Sequence, residues 1–89
     1  MKVHYNIWVK GIVQGVFFRK IVKEKGVELG LFGFVRNLPD GRVYVEAEGD
    51  DEVMQEFIKW MKTSPGTSLV EDIRTVEHQL RNYTAFITK

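Results

Sequence analysis

Residues 31–49 read LFGFVRNLPDGRVYVEAEG and carry two stretches of strand-forming residues around a turn. Proline, aspartate and glycine at 39–41 are typical of a turn, because proline presets φ and glycine accepts a positive φ. In the second stretch apolar residues alternate with polar ones: Val43, Val45 and Ala47 against Arg42, Tyr44, Glu46 and Glu48. This pattern predicts a β-hairpin with one packed face and one face in water.

A strand and a helix are predicted before the hairpin. Residues 3–9 alternate with period two, which predicts a strand whose valine, tyrosine and isoleucine side chains share one buried face. Apolar residues then recur at helical spacing from Phe18 to Leu29, and Gly30 can take the left-handed conformation that ends a helix. The hairpin is therefore preceded by a βα unit.

A helix and a strand are predicted after the hairpin. Asp50 can cap a second helix, whose apolar stripe lies within residues 53–61 and whose end is marked by proline and glycine at 65–66. Residues 69–76 predict a fourth strand, in which the acidic pair 71–72 interrupts the alternation and indicates a bulge or a sheet edge. Residues 83–88 predict a short closing strand.

The resulting order is βαββαβ with a small addition. Two βαβ halves joined by a hairpin form the α+β, ferredoxin-like split βαβ plan, with an antiparallel sheet and two helices on one face. We expect residues 1–89 to form a single domain, since the chain has 89 residues. In this plan the first strand and the second strand of the hairpin are the central neighbours.

Composition excludes several classes of protein. Thirteen basic and twelve acidic residues give a net charge of +1, so no global field draws the chain to nucleic acid or to an anionic membrane. The chain has no cysteine and therefore no disulfide framework and no thiolate nucleophile. No apolar run approaches the ~18 residues of a membrane span. We predict a cytoplasmic, soluble protein, with a monomer as the simplest state.

The ionisable residues do not form a metal-binding motif. His4 and His78 lack the i, i+4 spacing of a helical metal site and are predicted to be ordinary strand residues. The acidic residues at 50–52 are better explained by the dipole of the helix that they begin than by a magnesium site. We therefore predict no metal site.

Residues 9–19, VKGIVQGVFFR, leave the first strand through Gly11 and Gly15 and end on Arg19 where the first helix begins. Main-chain N–H groups of such a turn, together with a helix N-terminus, can converge on an anion. Arg19 adds a planar charged fork that matches two phosphate oxygens. The alternative is an ordinary glycine turn between a strand and a helix.

Asn37 lies at the end of a predicted strand, directly before the hairpin turn. An asparagine at such a position can bond its own turn. If the fold brings it next to the loop before Arg19, its uncharged amide instead faces the anion cradle. The sequence leaves both interpretations open.

Two motifs resemble the signatures of the acylphosphatases. VKGIVQGVFFR at 9–19 resembles the first, and GFVRN at 33–37, followed by Gly41, Val43 and Gly49, resembles the second. The resemblance covers essentially the whole chain. It implies hydrolysis of an acyl phosphate to a carboxylate and inorganic phosphate without metal or cofactor.

The same resemblance implies roles for individual residues. Arg19 would bind the phosphate group, and Asn37 would orient the attacking water. Backbone amides of one loop would complete the cradle: Gln14, Gly15, Val16, Phe17, Phe18 and Arg19.

Two other functions compete with hydrolysis. The βαββαβ order also serves RNA-binding domains, and Phe32-Gly33-Phe34-Val35 matches part of their aromatic motif, although on the second strand rather than the third. With the near-zero net charge, this mismatch predicts no nucleic-acid partner. The third possibility is a phosphate-binding module of the same fold without turnover.

Overall fold

The computed structural model describes residues 1–15 and 17–89. Its elements are β1 (Lys2–Ile12), α1 (Phe18–Glu28), β2 (Phe32–Asn37), β3 (Val43–Asp50), α2 (Asp51–Met61), β4 (Leu69–His78) and β5 (Phe86–Thr88). This order confirms the ferredoxin-like α+β prediction. Both helix starts lie where the sequence predicts them, and the Asp50 carboxylate accepts the Glu52 N–H at 3.0 Å as the predicted cap of α2.

The sheet has the strand order β4-β1-β3-β2-β5. The first four strands pair antiparallel, with β1 and β3 in the centre as predicted. The closing strand β5 instead runs parallel to β2, with Gly33 opposite Phe86, so the complete sheet is mixed. Between β4 and β5 the chain must pass from one edge of the sheet to the other, and residues 79–85 make this crossing.

The hydrophobic core lies between one face of the sheet and both helices. Alternate residues of β1 and β3, including Ile7 and Val45, are fully buried there together with Phe18 of α1 and Phe57 of α2. The contact is close at Gly26 of α1, where an added Cβ would lie 2.6 Å from the Phe86 ring. This packing fixes β5 beneath α1.

The interruption predicted in the fourth strand is a bulge at a sheet edge. Lys10 of β1 pairs with Asp72, but the next residue, Gly11, pairs with Val70. Glu71 is therefore the extra residue of β4, which is the edge strand of the sheet.

The prediction that the outer face of β3 meets water is wrong for Glu46 and Glu48. Glu46 is 8% exposed and Glu48 is fully buried, because residues 79–85 cross this end of the outer face. We call residues 79–85 the strap. Glu48 accepts hydrogen bonds from the main-chain N–H groups of Arg81, Asn82 (3.2 Å) and Tyr83 (2.9 Å). These contacts hold the strap on the sheet.

The prediction that His4 is an ordinary strand residue is also wrong. The ring is fully buried beneath the strap, with Nδ1 2.9 Å from Glu48 Oε2 and Nε2 2.9 Å from Asn6 Oδ1. His78, in contrast, is exposed at the end of β4. Periodicity assigned His4 to the outer face correctly but could not show that the strap covers it.

Candidate active site

A cavity of about 350 Å³ opens at the sheet end where β2 and β5 finish and α1 begins. The residues that line it come from the β1–α1 loop, the start of α1 and the ends of β2 and β5: Val13, Gly15, Phe17, Phe18, Arg19, Lys20, Asn37 and Thr88. Two of these are cationic and none is acidic. The described lining therefore favours an anionic ligand.

Most of the residues predicted for the site meet here. Gly15, Phe17, Phe18 and Arg19 line the cavity together with Asn37, although Arg19 and Asn37 are 18 positions apart in the chain. Val16, which was predicted to belong to the same loop, lies outside the described residues. Lys20 and Thr88 are lining residues that sequence reasoning missed.

The loop before α1 has an unusual backbone. Gly15 has φ 74°, and Phe17, the N-cap of α1, has φ 58° and ψ 20°. A bulky residue in this left-handed region costs roughly 1–3 kcal/mol, and such strain clusters at functional sites. The Phe17 side chain is 78% exposed, so core packing does not account for its conformation.

The N-terminus of α1 points its first-turn amides toward this loop. The N-cap residue, Phe17, makes no side-chain hydrogen bond to them. The first N–H groups of a helix have no partner within the helix, and its dipole places partial positive charge there. An uncapped N-terminus at the wall of a cationic cavity can accept a phosphate group.

The Arg19 side chain is hydrogen-bonded to the main chain of Lys89, at the C-terminal end of the described residues. Its Nη1 donates to the main-chain oxygen of Lys89 at 2.9 Å, and the Lys89 N–H donates to Val35 O at 2.8 Å. This contact uses one of the five N–H donors of the guanidinium. The pairing of residue 89 with β2 therefore orients Arg19 while leaving it able to bind a phosphate group.

Asn37 carries a buried acceptor. Within the described residues, its Oδ1 is the buried side-chain polar atom that has no hydrogen-bond partner. Leaving such an acceptor unsatisfied costs about 1–3 kcal/mol, and native structures contain few of them. The interpretation of Asn37 as a residue that only bonds its own turn is not supported for Oδ1.

Gln14 differs from its predicted neighbours in the loop. It is not among the residues lining the cavity; instead its Nε2 donates to Leu38 O (2.9 Å) and Arg42 O (3.0 Å). These two carbonyls belong to the hairpin turn that follows Asn37. The Gln14 side chain therefore ties the β1–α1 loop to the end of β2.

Among residues 1–15 and 17–89, no group of three or more His, Cys, Asp or Glu is placed to hold a metal ion. No helix in the same ranges is long and apolar enough to cross a membrane.

Comparison with known proteins identifies the family. The acylphosphatase family model matches residues 5–88, which is nearly the whole chain. The chain belongs to the acylphosphatase family. An acylphosphatase of Archaeoglobus fulgidus is 39% identical over 81 residues, which cover 91% of either chain. The family resemblance predicted from the two motifs is therefore confirmed.

Solved structures agree with this assignment. The acylphosphatase of Bacillus subtilis superposes with a TM-score of 0.94 at 36% identity and covers 98% of both chains. That of Coxiella burnetii gives a TM-score of 0.95 at 32% identity, covering 99% of this chain and 93% of its own. The function of the chain is accordingly that of its family, the hydrolysis of acyl phosphates.

Proposed function

We propose that the chain hydrolyses its acyl phosphate in the 350 Å³ cavity, with Arg19 and loop amides binding the phosphate and Asn37 orienting the attacking water. The observation that carries this proposal is the buried, unpartnered Asn37 Oδ1 in a cavity whose charged lining residues are cationic. The proposed mechanism uses no metal and no cofactor.

The phosphate group binds first. Arg19 offers paired N–H donors to two phosphate oxygens, and the main-chain amides of residues 14–19, in the loop and at the N-terminus of α1, surround the others. The contact of Arg19 with Lys89 O supports this role, because a preoriented guanidinium loses less freedom when the substrate binds. Charge on the equatorial phosphate oxygens grows or spreads during transfer, and these fixed donors stabilise it.

Asn37 acts on the water. Its Oδ1 accepts a hydrogen bond from that water and holds the oxygen near phosphorus, opposite the acyl oxygen that leaves. The hydrogen bonds of Gln14 to the turn after Asn37 support a fixed position for this amide. Asn37 thereby contributes orientation and no proton transfer.

The bond changes are balanced without a strong acid or base. The water oxygen forms a new P–O bond while the bond from phosphorus to the acyl oxygen breaks, and the products are a carboxylate and inorganic phosphate. A carboxylate is a weakly basic leaving group and needs no protonation to depart. The water proton passes to a phosphate oxygen or to bulk water, since an asparagine amide is too weak a base to take it.

The proposal needs one domain of residues 1–89 and one copy of the chain. Both motifs contribute to a single cavity, and every side chain assigned a role comes from the same protomer. We also propose that the chain is a cytoplasmic monomer, and that the reaction in this cavity involves a small acyl phosphate and no nucleic-acid or membrane partner.

Turnover of a simple aromatic acyl phosphate in excess EDTA tests the proposal. Arg19→Ala should lower turnover by about 10³-fold, as for other phosphoryl-transfer arginines. Arg36→Ala is the matched control, because Arg36 is an exposed arginine that does not line the cavity. Activity near that of the native protein in a folded Arg19→Ala variant, with folding checked by circular dichroism, would refute the phosphate-binding role.

Asn37 is tested by separating turnover from phosphate binding. Asn37→Ala should lower kcat and leave competitive inhibition by inorganic phosphate nearly unchanged, because the amide acts on the water in the transition state. A parallel loss of phosphate inhibition would place Asn37 in the anion site instead. Inactivity of the folded native protein, with phosphate still bound, would favour a binding module over an enzyme.

A further inference from the structure

The outer face of the sheet carries a row of aromatic and basic residues beyond the strap. Register places Trp8 opposite both Arg74 and Tyr44, and Tyr44 opposite Arg36. Side chains paired across adjacent strands project from the same face. Across four neighbouring strands, one face of the sheet therefore presents a row of four side chains in the order Arg74, Trp8, Tyr44, Arg36. We call these four residues the outer row.

The two aromatic rings of the outer row form one surface. The Trp8 and Tyr44 ring centroids are 5.2 Å apart, and the Arg36 guanidinium carbon lies 5.5 Å from the centre of the Tyr44 ring. Trp8 and Tyr44 are half-buried, whereas Arg36 and Arg74 are exposed. The helices and core lie on the opposite face, so neither accounts for this arrangement.

A shallow cavity of about 400 Å³ adjoins the row. It is lined by Trp8, Arg42, Arg74 and Val76, with no acidic residue among them. Adjacent strands are about 4.8 Å apart, so arginines lie within one or two strand spacings of each aromatic ring. The Trp8 and Tyr44 rings are tilted by 46° to each other, so each ring offers its own stacking face beside fixed positive charge.

The nearby acidic groups have partners within the fold, and one of these partners is Tyr44 of the outer row itself. Glu46, in the next row, accepts the hydroxyls of Tyr44 (2.6 Å) and Tyr83 (2.7 Å). Asp40 pairs with Arg42 Nε at 2.8 Å and leaves the other donors of that guanidinium in place. Asp72 stands opposite Lys10 on the adjacent strand. The local charge around the outer row is therefore positive although the chain as a whole is nearly neutral.

We propose that the outer row binds single-stranded nucleic acid, with bases stacked on Trp8 and Tyr44 and phosphates paired with the surrounding arginines. Aromatic rings on an open four-stranded sheet stack bases in RNA-binding domains of this topology, and basic residues follow the backbone in single-strand sites. This surface lies outside the catalytic cavity and shares no lining residue with it.

The proposal revises the prediction that the chain has no nucleic-acid partner. That prediction rested on residues 32–35 and on net charge, both read along the sequence. The aromatic residues of the outer row are 36 positions apart and become neighbours only because β1 and β3 pair at the centre of the sheet. Net charge likewise averages the basic outer face with acidic residues elsewhere, such as those that begin α2.

Binding can be measured with a fluorescein-labelled ten-nucleotide uridine RNA, by anisotropy in low salt and in excess inorganic phosphate, which occupies the catalytic cavity. We expect saturable binding that Trp8→Ala weakens at least fivefold, since stacking on one aromatic ring contributes that much. Each of Arg36→Ala and Arg74→Ala should reduce the slope of log affinity against log salt by about 0.7. Lys59→Ala, an exposed change on α2, is the matched control and should alter neither quantity.

Hydrolysis of an acyl phosphate by the same variants provides a second readout, because a surface role predicts full activity in Trp8→Ala, Arg36→Ala and Arg74→Ala. Absence of saturable binding by the folded native protein at 50 mM salt would overturn the proposal. So would RNA binding that excess phosphate or Arg19→Ala abolishes, since the oligonucleotide would then occupy the catalytic cavity. Concentration-dependent dimerisation lost in Trp8→Ala, without RNA binding, would assign the row to self-association instead.

Discussion

Glu48→Gln should destabilise the fold by removing the charge that fastens the strap. The carboxylate is fully buried and accepts three main-chain N–H groups of the strap in addition to the ring nitrogen of His4. In the amide, one oxygen becomes an NH₂ group that faces N–H donors. If that group replaces Oε1, the Tyr83 N–H loses its acceptor and the bonds to Oε2 lose their charge.

The magnitude follows from these contacts. A hydrogen bond to a charged group contributes about 1.5–3 kcal/mol, and the donor left unpaired adds a desolvation penalty of about 1–3 kcal/mol. The sum agrees with the 3–5 kcal/mol typical of breaking a buried charge pair. We expect the free energy of unfolding to fall by about 3–5 kcal/mol, a large part of the roughly 5–15 kcal/mol of a native domain.

Urea unfolding followed by circular dichroism measures this loss. Glu77→Gln is the matched control, because Glu77 is exposed on the edge strand β4 and should change stability by less than about 0.5 kcal/mol. A Glu48→Gln protein within 1 kcal/mol of the native protein would refute the reasoning. It would mean that the strap is held by its apolar contacts and that its hydrogen bonds to Glu48 are replaceable.

The same carboxylate predicts a pH dependence. Burial raises the pKa of Glu48, but hydrogen bonds from Arg81, His4 and Tyr83 outweigh it and hold that pKa below its ordinary value of 4.5. A depressed pKa contributes stability that is present above pH 4.5 and is lost as pH falls through the lower, folded value. As pH falls, the free energy of unfolding should therefore decrease more steeply for the native protein than for the Glu48→Gln variant. Equal slopes of this free energy against pH would contradict the assignment.

Three further changes test neighbouring parts of the structure. Gln14→Met should cost about 1–3 kcal/mol in urea unfolding and lower kcat more than phosphate affinity, because two hydrogen bonds beside Asn37 are lost; equal kcat would show that the loop is positioned without them. Gly26→Val should cost at least about 1–3 kcal/mol by overpacking against Phe86, and an unchanged thermal midpoint would refute that contact. Burial and the Glu46 carboxylate raise the pKa of Tyr83 to about 12, so its phenol should stay protonated at pH 11 in an absorbance titration, and ionisation near pH 10 would contradict the hydrogen bond.

Local chemistry was sufficient to predict most of the fold. The turn at 39–41, the Asp50 cap and the alternation in β1 and β3 depend on neighbouring residues and all agree with the structure. The bulge at Glu71 could be predicted because a bulge interrupts a period-two pattern at one position. The starts of both helices were predicted accurately, whereas α2 ends at Met61, before the proline and glycine at 65–66 that were expected to mark its end.

The strap could not be predicted in the same way. Glu46 and Glu48 alternate with valine and alanine as any solvated strand residues do, and no local signal distinguishes a carboxylate that will be covered. Their burial depends on a segment more than thirty residues later in the chain. The parallel pairing of β5, which brings Thr88 to the cavity, is non-local for the same reason.

The residues of the candidate site could be predicted from the two motifs, but the contacts that hold these residues in place could not. Gly15, Arg19 and Asn37 were identified from two short stretches, and the structure brings them to one cavity. Gln14 illustrates the limit: the motif predicts a role for its main-chain amide, but the hydrogen bonds of its side chain to carbonyl groups of the hairpin turn could not be predicted from the sequence. Side-chain direction in a loop is set by the partners available in the fold.

Buried ionisable side chains lie at one end of the sheet, and the candidate active site lies at the other. At one end, His4, Glu46 and Glu48 are buried and fasten the strap, which leads into β5. At the other end, β5 brings the main-chain oxygen of Lys89 to Arg19, beside an asparagine that has no charge to titrate. The proposed mechanism needs no titratable base, because its leaving group is a weakly basic carboxylate and its catalysis depends on position and fixed charge. The buried carboxylates are thus explained by the structure that orients Arg19, and the proposed mechanism uses none of them.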